Sequence, residues 1–169
     1  MKPGDHPEFF RFAPPPGTSR ESTIRLAQDG TFFHDGQPVE HRALRKALAS
    51  WIARHPDDGR FILTNGYDWT YFAVDDAPYV VTAIDTAPSP PTVTLFDESV
   101  EPLDPATATI GDDGVVYLGV KGGAFEARLS RHAQTQLAPL LVEGAPGEPA
   151  PRLQVGGRDF PLPPRRSRC

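Results

Sequence analysis

The chain holds one cysteine, Cys169, in 169 residues. A single thiol excludes a disulfide framework, a cysteine-built zinc site and a redox pair. A cysteine in last place is also no prenylation box, which needs three residues after it. Long apolar runs are missing: no stretch approaches the ~20 residues of a membrane span. The opening Met1-Lys2-Pro3-Gly4-Asp5-His6-Pro7 lacks the apolar core of a signal peptide. The expectation is a soluble, cytoplasmic protein with no membrane partner. Lysine is scarce, with three against fourteen arginines, and neither occurs from Phe61 to Val120. That stretch carries ten acids, whereas residues 121–169 carry eight basic and four acidic side chains. An acidic middle repels phosphate backbones and excludes a broad nucleic-acid surface. It leaves room for one small anion pocket built from the later arginines.

Motifs for chemistry are absent as well. His34, His41, His55 and His132 show no metal spacing, so no metal site and no cofactor is expected. There is no G-x-S-x-G, no G-x-G-x-x-G and no P-loop. Asp75-Asp76 is a tempting carboxylate pair, but neighbours on a strand point to opposite faces. A turn capped by one aspartate explains the pair without catalysis. No catalytic residue is assigned.

What is there is a chain punctuated by twenty prolines and fifteen glycines. Residues 1–22 read as a flexible or extended arm broken by Pro14-Pro15-Pro16-Gly17, in which Phe9, Phe10 and Phe12 suggest docking, on the same chain before a partner. Ile24 to Leu26 and Thr31 to His34 read as strands, with turns at Asp29-Gly30 and Asp35-Gly36. Ala43, Leu44, Ala47, Leu48, Trp51 and Ile52 recur at three- and four-residue steps, which predicts a helix over 41–54 that ends before His55-Pro56. Strands follow over 60–64 and 69–74 around Asn65-Gly66, then over 79–86, 92–96, 115–120 and 124–129. Ser130 caps a second helix over 131–142, with Ala133, Leu137, Leu140 and Leu141 inward and Pro139 placed to kink or shorten it. A Gly/Pro/Ala linker, Glu143 to Pro151, leads to a last hairpin over 153–162.

Two halves look alike. Asp29-Gly30 leads through aromatics and a glycine turn to a helix near Arg42; Asp113-Gly114 leads through Val116-Tyr117 and a glycine turn to a helix near Arg131. The first offset is 84 residues and the second 89, which points to a duplication. A cleft between repeats is then the natural ligand site.

The best binding candidate is Lys121-Gly122-Gly123-Ala124-Phe125-Glu126-Ala127-Arg128-Leu129-Ser130-Arg131. Arg128 and Arg131 at the end of a strand and the start of a helix can fork onto a phosphate or carboxylate. The competing explanation is an ion pair between Glu126 and Arg128 on one strand face.

At this segment the chain resembles the bacterial family called domain of unknown function 1285. The resemblance rests on Val120-Lys121-Gly122-Gly123-Ala124-Phe125-Glu126-Ala127-Arg128, on Ala73-Val74-Asp75-Asp76-Ala77-Pro78-Tyr79, and on the opening hairpin Asp29 to Val39. It implies a duplicated α+β core whose C-terminal half is superficially pleckstrin-homology-like. It also implies a ligand site between the halves, suited to a nucleotide-like molecule, and a signalling role, but no activity. The acid-Ala-Pro-aromatic motif lands on Asp76, Ala77, Pro78 and Tyr79, and the basic-glycine motif on Lys121, Gly123, Glu126 and Arg128. The chain departs from the family's Thr-Pro at Thr64-Asn65-Gly66-Tyr67-Asp68, which bears on any ligand specificity of that loop.

The expectation is therefore an α+β fold of mainly antiparallel sheets with two helices. It comprises an arm (1–22), an N-terminal repeat (23–76), a C-terminal repeat (77–163) and a basic tail (164–169) without assigned function. The expected function is a cytoplasmic module binding a small anionic ligand between its halves. Arg128, Arg131 and Lys121 would hold the anion, Asp76 lies in the carried-over motif, and Tyr79 or Trp69 would stack on a ring. The alternative is a protein–protein adaptor using the arm, exposed strand edges or the acidic middle. A hydrolase using Asp75 or Asp76 with His34 is the least supported reading.

Overall fold

The computed structural model describes residues 1–144, 146–147 and 150–166. Ala145, Glu148 and Pro149 of the linker, and Ser167, Arg168 and Cys169 of the basic tail, lie outside them. The fold is α+β, with two helices and mostly antiparallel sheets. The chain divides into two compact units, Met1–Asp76 and Ala77–Cys169. Among the described residues no helix is long and apolar enough to cross a membrane.

In the first unit two 3-10 turns, Pro3–Asp5 and Pro7–Arg11, precede β1 (Arg25–Leu26), β2 (Phe32–His34), β3 (Gln37–Pro38), α1 (Arg42–Ser50), β4 (Ile52–Arg54), β5 (Phe61–Thr64), β6 (Trp69–Tyr71) and β7 (Ala73–Val74). One sheet runs β3-β2-β1-β7 and a second β4-β5-β6, with only β1 and β7 parallel. Asp35 at φ 51° and Gly36 at φ 77° turn β2 into β3. Positive φ at both central residues is what a two-residue hairpin of right-twisted strands requires. Leu26, Phe32, Leu48, Ile62, Leu63 and Phe72 form the unit's core.

The first helix is shorter than its periodicity predicts. Trp51 leaves the helix at φ −96°, and its carbonyl accepts the Thr64 N–H at 2.8 Å. Ile52 opens β4 opposite Leu63 instead of completing a helical turn. A β-branched residue followed by His55-Pro56 gains more from a sheet ladder than from one more turn of helix. Ala43 and Leu44, expected inward, are exposed, and Leu48 and Ala49 carry the buried face.

The second unit contains β8 (Tyr79–Asp85), β9 (Thr92–Leu95), β10 (Val100–Pro102), a 3-10 turn (Pro105–Thr107), β11 (Thr109–Ile110), β12 (Val116–Val120), β13 (Phe125–Leu129), α2 (Arg131–Leu137), a further 3-10 turn (Ala138–Leu140), β14 (Leu141–Val142), β15 (Arg152–Val155) and β16 (Arg158–Pro161). Its large sheet runs β10-β9-β8-β13-β12-β11, with β8 and β13 parallel, and its small sheet β14-β15-β16. Ser130 caps α2 by accepting the Ala133 N–H at 3.1 Å. α2 stops at Leu137 rather than near Val142 because Pro139 has no N–H to continue the ladder. Leu141, expected on the helix, is in β14.

Each unit carries a similar ladder. In the first, Leu26 pairs with Phe32 and, in parallel, with Val74; in the second, Ile110 pairs with Val116 and, in parallel, with Pro164. Asp75 N–H donates to Leu26 O at 2.9 Å, and Arg165 N–H to Ile110 O at 2.8 Å. Leu48 and Leu137 are the buried leucines of α1 and α2. After each helix comes an antiparallel three-strand meander.

Candidate functional site

In the second unit Lys121 and Arg128, two of the basic side chains singled out in the sequence, are held by acids. Lys121 Nζ donates to Asp97 Oδ2 and to Ser99 Oγ, both at 2.9 Å. The same ammonium lies 5.5 Å from the centre of the Tyr79 ring. Tyr79 is 3% exposed and packs against Phe96 and Phe125, so its faces are largely covered by its own unit. Burial, reinforced by Asp97 and Glu101, pushes its phenol up to about 12.

Arg128 donates to the Tyr117 hydroxyl and, at 2.9 Å, to Asp113 Oδ2. The guanidinium holds Asp113 below the usual carboxylate range. Glu126 is not the partner of Arg128. Arg165 forks onto it at 2.7 to 3.1 Å while stacking 3.9 Å from the Tyr117 ring centre. Arg131 is the exposed first residue of α2, a helix of seven residues. Lys121 and Tyr79 thus come together, and Arg128 sits in a separate cluster with Asp113 and Tyr117.

Trp69 and Asp76 belong to the first unit. Asp76 follows β7, half-buried. Its neighbour Asp75 is paired with Arg25, and His34 reaches only Asp35, at 3.7 Å. Asp75 is thus engaged by Arg25 rather than by His34. Among the described residues no group of three or more His, Cys, Asp or Glu can hold a metal ion.

Trp69 is where the first unit's chemistry gathers. It lines an open pocket of about 180 Å³ together with Ile24, Leu48, Trp51, Leu63, Asn65, Asp68 and Thr70. Five of these lining side chains are apolar and three, Asn65, Asp68 and Thr70, are polar; these three are termed the rim. Asn65 Oδ1 accepts the N–H groups of Tyr67 and Asp68, at 2.8 and 2.9 Å, which closes the four-residue loop between β5 and β6. Gly66, at φ 88°, supplies the left-handed residue that this loop needs. Asp68 Oδ1 accepts from Arg20 at 2.8 Å and from the Trp69 N–H at 2.9 Å. The Trp69 side chain is 6% exposed, and its Nε1–H is buried without an acceptor.

The arm docks on this unit. Gly4 N–H donates to Gly66 O at 2.8 Å, and Arg11 forks onto Asp57 at 2.9 to 3.2 Å. Phe10 lies 6.0 Å from Trp69 and 6.1 Å from His55, ring to ring. His55, 6% exposed, bonds Phe10 O through Nε2 at 3.0 Å and accepts the Asp57 N–H at Nδ1. Sequence reasoning singled out Trp69 but missed Arg20, Asn65 and Asp68. The one available signal was the loop Thr64 to Asp68, where the chain departs from the family motif; that loop supplies part of the rim.

Two solved structures share the fold. A protein of the domain of unknown function 1285 family from Silicibacter pomeroyi DSS-3 is 23% identical over 90% of this chain and 84% of its own, with a TM-score of 0.66. Another protein of that family, from Shewanella baltica OS155, is 19% identical over 72% of this chain and 94% of its own, with a TM-score of 0.58. No family model and no curated protein matches the sequence. The resemblance first carried by three sequence motifs therefore extends to the fold of the domain of unknown function 1285 family.

Proposed function

We propose that this chain is a non-enzymatic, cytoplasmic binding module of a signalling system, whose small-molecule site is the Trp69 pocket of the first unit. One observation carries the reading: an open pocket lined by apolar Ile24, Leu48, Trp51, Leu63 and Trp69 beside polar Asn65, Asp68 and Thr70.

Size and charge narrow the ligand. A pocket of about 180 Å³ is near the ~150 Å³ that holds one benzene ring and below the ~300 Å³ of ordinary drug-sized sites. Of a nucleotide-like ligand only the base would enter. Asp68 is balanced by Arg20, so the rim has little net charge for an ion. Asn65 Nδ2 donates and Asp68 Oδ2 accepts, a pairing suited to a neutral ring bearing one C=O and one N–H. An anion held by Arg128 is less favoured, because Asp113 already occupies that guanidinium.

We also propose that the two units arose by duplication. Supporting this, Leu26–Phe32 and Ile110–Val116 pair alike, as do Leu63–Thr70 and Leu153–Phe160. The positions matching Asn65 and Thr70 in the second unit are then Val155 and Phe160, so the polar rim is not a requirement of the fold.

The test is a thermal-shift screen of the full chain with 2-pyridone, 2-quinolone, nucleosides and inorganic anions. A ligand at 100 times its dissociation constant stabilises by about 2.7 kcal/mol. Neutral cyclic amides should shift the melting temperature, and Ile24→Phe, which adds bulk to the pocket lining, should abolish the shift. Silence from these rings, or a shift that survives Ile24→Phe, overturns the reading.

A further inference from the structure

We propose that Arg20 is the positioning residue of the Trp69 pocket, and that through it docking of the N-terminal arm and occupation of the pocket are coupled. The proposal rests on the pocket reading above. Arg20 meets three consecutive pocket-lining residues. Its Nη1 donates to Asp68 Oδ1 at 2.8 Å and to Trp69 O at 3.0 Å. Its carbonyl accepts the Thr70 hydroxyl at 2.8 Å and the Tyr71 N–H at 2.7 Å. Its guanidinium carbon lies 4.6 Å from the Trp69 ring centre. Asp68, Trp69 and Thr70 therefore share one external support, and it comes from the end of the arm.

The rest of the arm reaches the same wall separately. Phe10 packs on Trp69, and Gly4 bonds Gly66 in the loop that carries Asn65 and Asp68. Between these anchors and Arg20 the chain reverses at Pro15-Pro16-Gly17-Thr18, where Thr18 N–H donates to Pro15 O at 3.0 Å and Gly17 sits at φ 79°. Proline followed by a positive-φ glycine is a type II turn, so local chemistry folds the arm back onto its own unit. The holding contacts are individually weak: Arg11 and Asp57 are both about half exposed. The Arg20 Nε is buried without an acceptor, which leaves that support incompletely satisfied. An arm held by weak contacts against the wall of a pocket is released at small cost. A ligand resting on Trp69 and Asp68 must then bind the docked state better than the released one, and by linkage it holds the arm down by the same factor.

The experiment is amide hydrogen exchange on the full chain, read at Gly4 and Tyr71, with 2-quinolone binding measured in parallel. Arg11→Glu and Gly17→Val release the arm without touching the pocket. Each should speed exchange at Gly4 and at Tyr71 together and weaken 2-quinolone about fivefold or more. Arg20→Gln should do the same. Arg20→Lys, which keeps a charge for Asp68 but not the fork over Trp69, should restore thermal stability without restoring binding. A merely structural Arg20 returns both together. Faster exchange at Gly4 with Tyr71 unchanged overturns the coupling, as does failure of both arm variants to release Gly4. If 2-quinolone does not bind the unaltered protein, the pocket reading falls, while the exchange data still decide whether arm and rim are linked.

Discussion

Arg128 is tied to Asp113, Nη2 to Oδ2 at 2.9 Å, while the same guanidinium donates to the Tyr117 hydroxyl. The arginine that looks in sequence like an anion fork is already engaged, one nitrogen by an acid fifteen residues earlier and the other by a phenol. Inorganic pyrophosphate is therefore expected to bind the parent no more tightly than it binds Arg128→Ala, by titration calorimetry. Tight binding by the parent, lost in Arg128→Ala, would show instead that the pair opens for an anion.

Lys121 lies beside two groups, Asp97 and Tyr79, whose ionisation is shifted in opposite directions. Burial pushes Asp97 up, but hydrogen bonds from Ser99 and Lys121 outweigh it and hold its carboxyl below the ordinary 3.8. Its stabilisation is complete above that ordinary value and is lost as pH falls through the lower folded one. Tyr79 behaves oppositely, with a folded value of about 12 against 10.0 unfolded. Its stabilisation is complete below 10.0 and is lost as pH rises toward about 12. Urea denaturation from pH 9 to pH 12 should show falling stability, and Tyr79→Phe should flatten part of that fall.

Leucines that periodicity places inward, one on each helix, should differ sharply in cost. Leu137 is fully buried, so Leu137→Ala should destabilise by about 2–5 kcal/mol. Leu44 is 44% exposed, and Leu44→Ala should stay within about 0.5 kcal/mol. Equal losses in chemical denaturation would mean that α1 buries the face its periodicity suggests.

Ser130→Ala removes the acceptor for the Ala133 N–H and should cost about 1 kcal/mol, with Ser130→Asp recovering most of it. Midpoints of thermal melts at one pH decide this.

The parts of this protein legible in its sequence are those governed by neighbours along the chain. Asp35-Gly36 and Gly66 fall at left-handed positions because few other residues tolerate them, Ser130 caps because its hydroxyl reaches three residues on, and Pro139 stops α2 for want of an N–H. Such effects are complete within a few residues, so composition and spacing reveal them. The candidate site is of another kind. Trp51 leaves the helix to meet Thr64, Arg20 meets Asp68 across 48 residues, and Arg128 takes Asp113 rather than Glu126. Those pairings depend on where the chain returns after several strands, and many acids in the sequence had an equal claim on each arginine. Charge alone does not choose among them; the register of the sheets does.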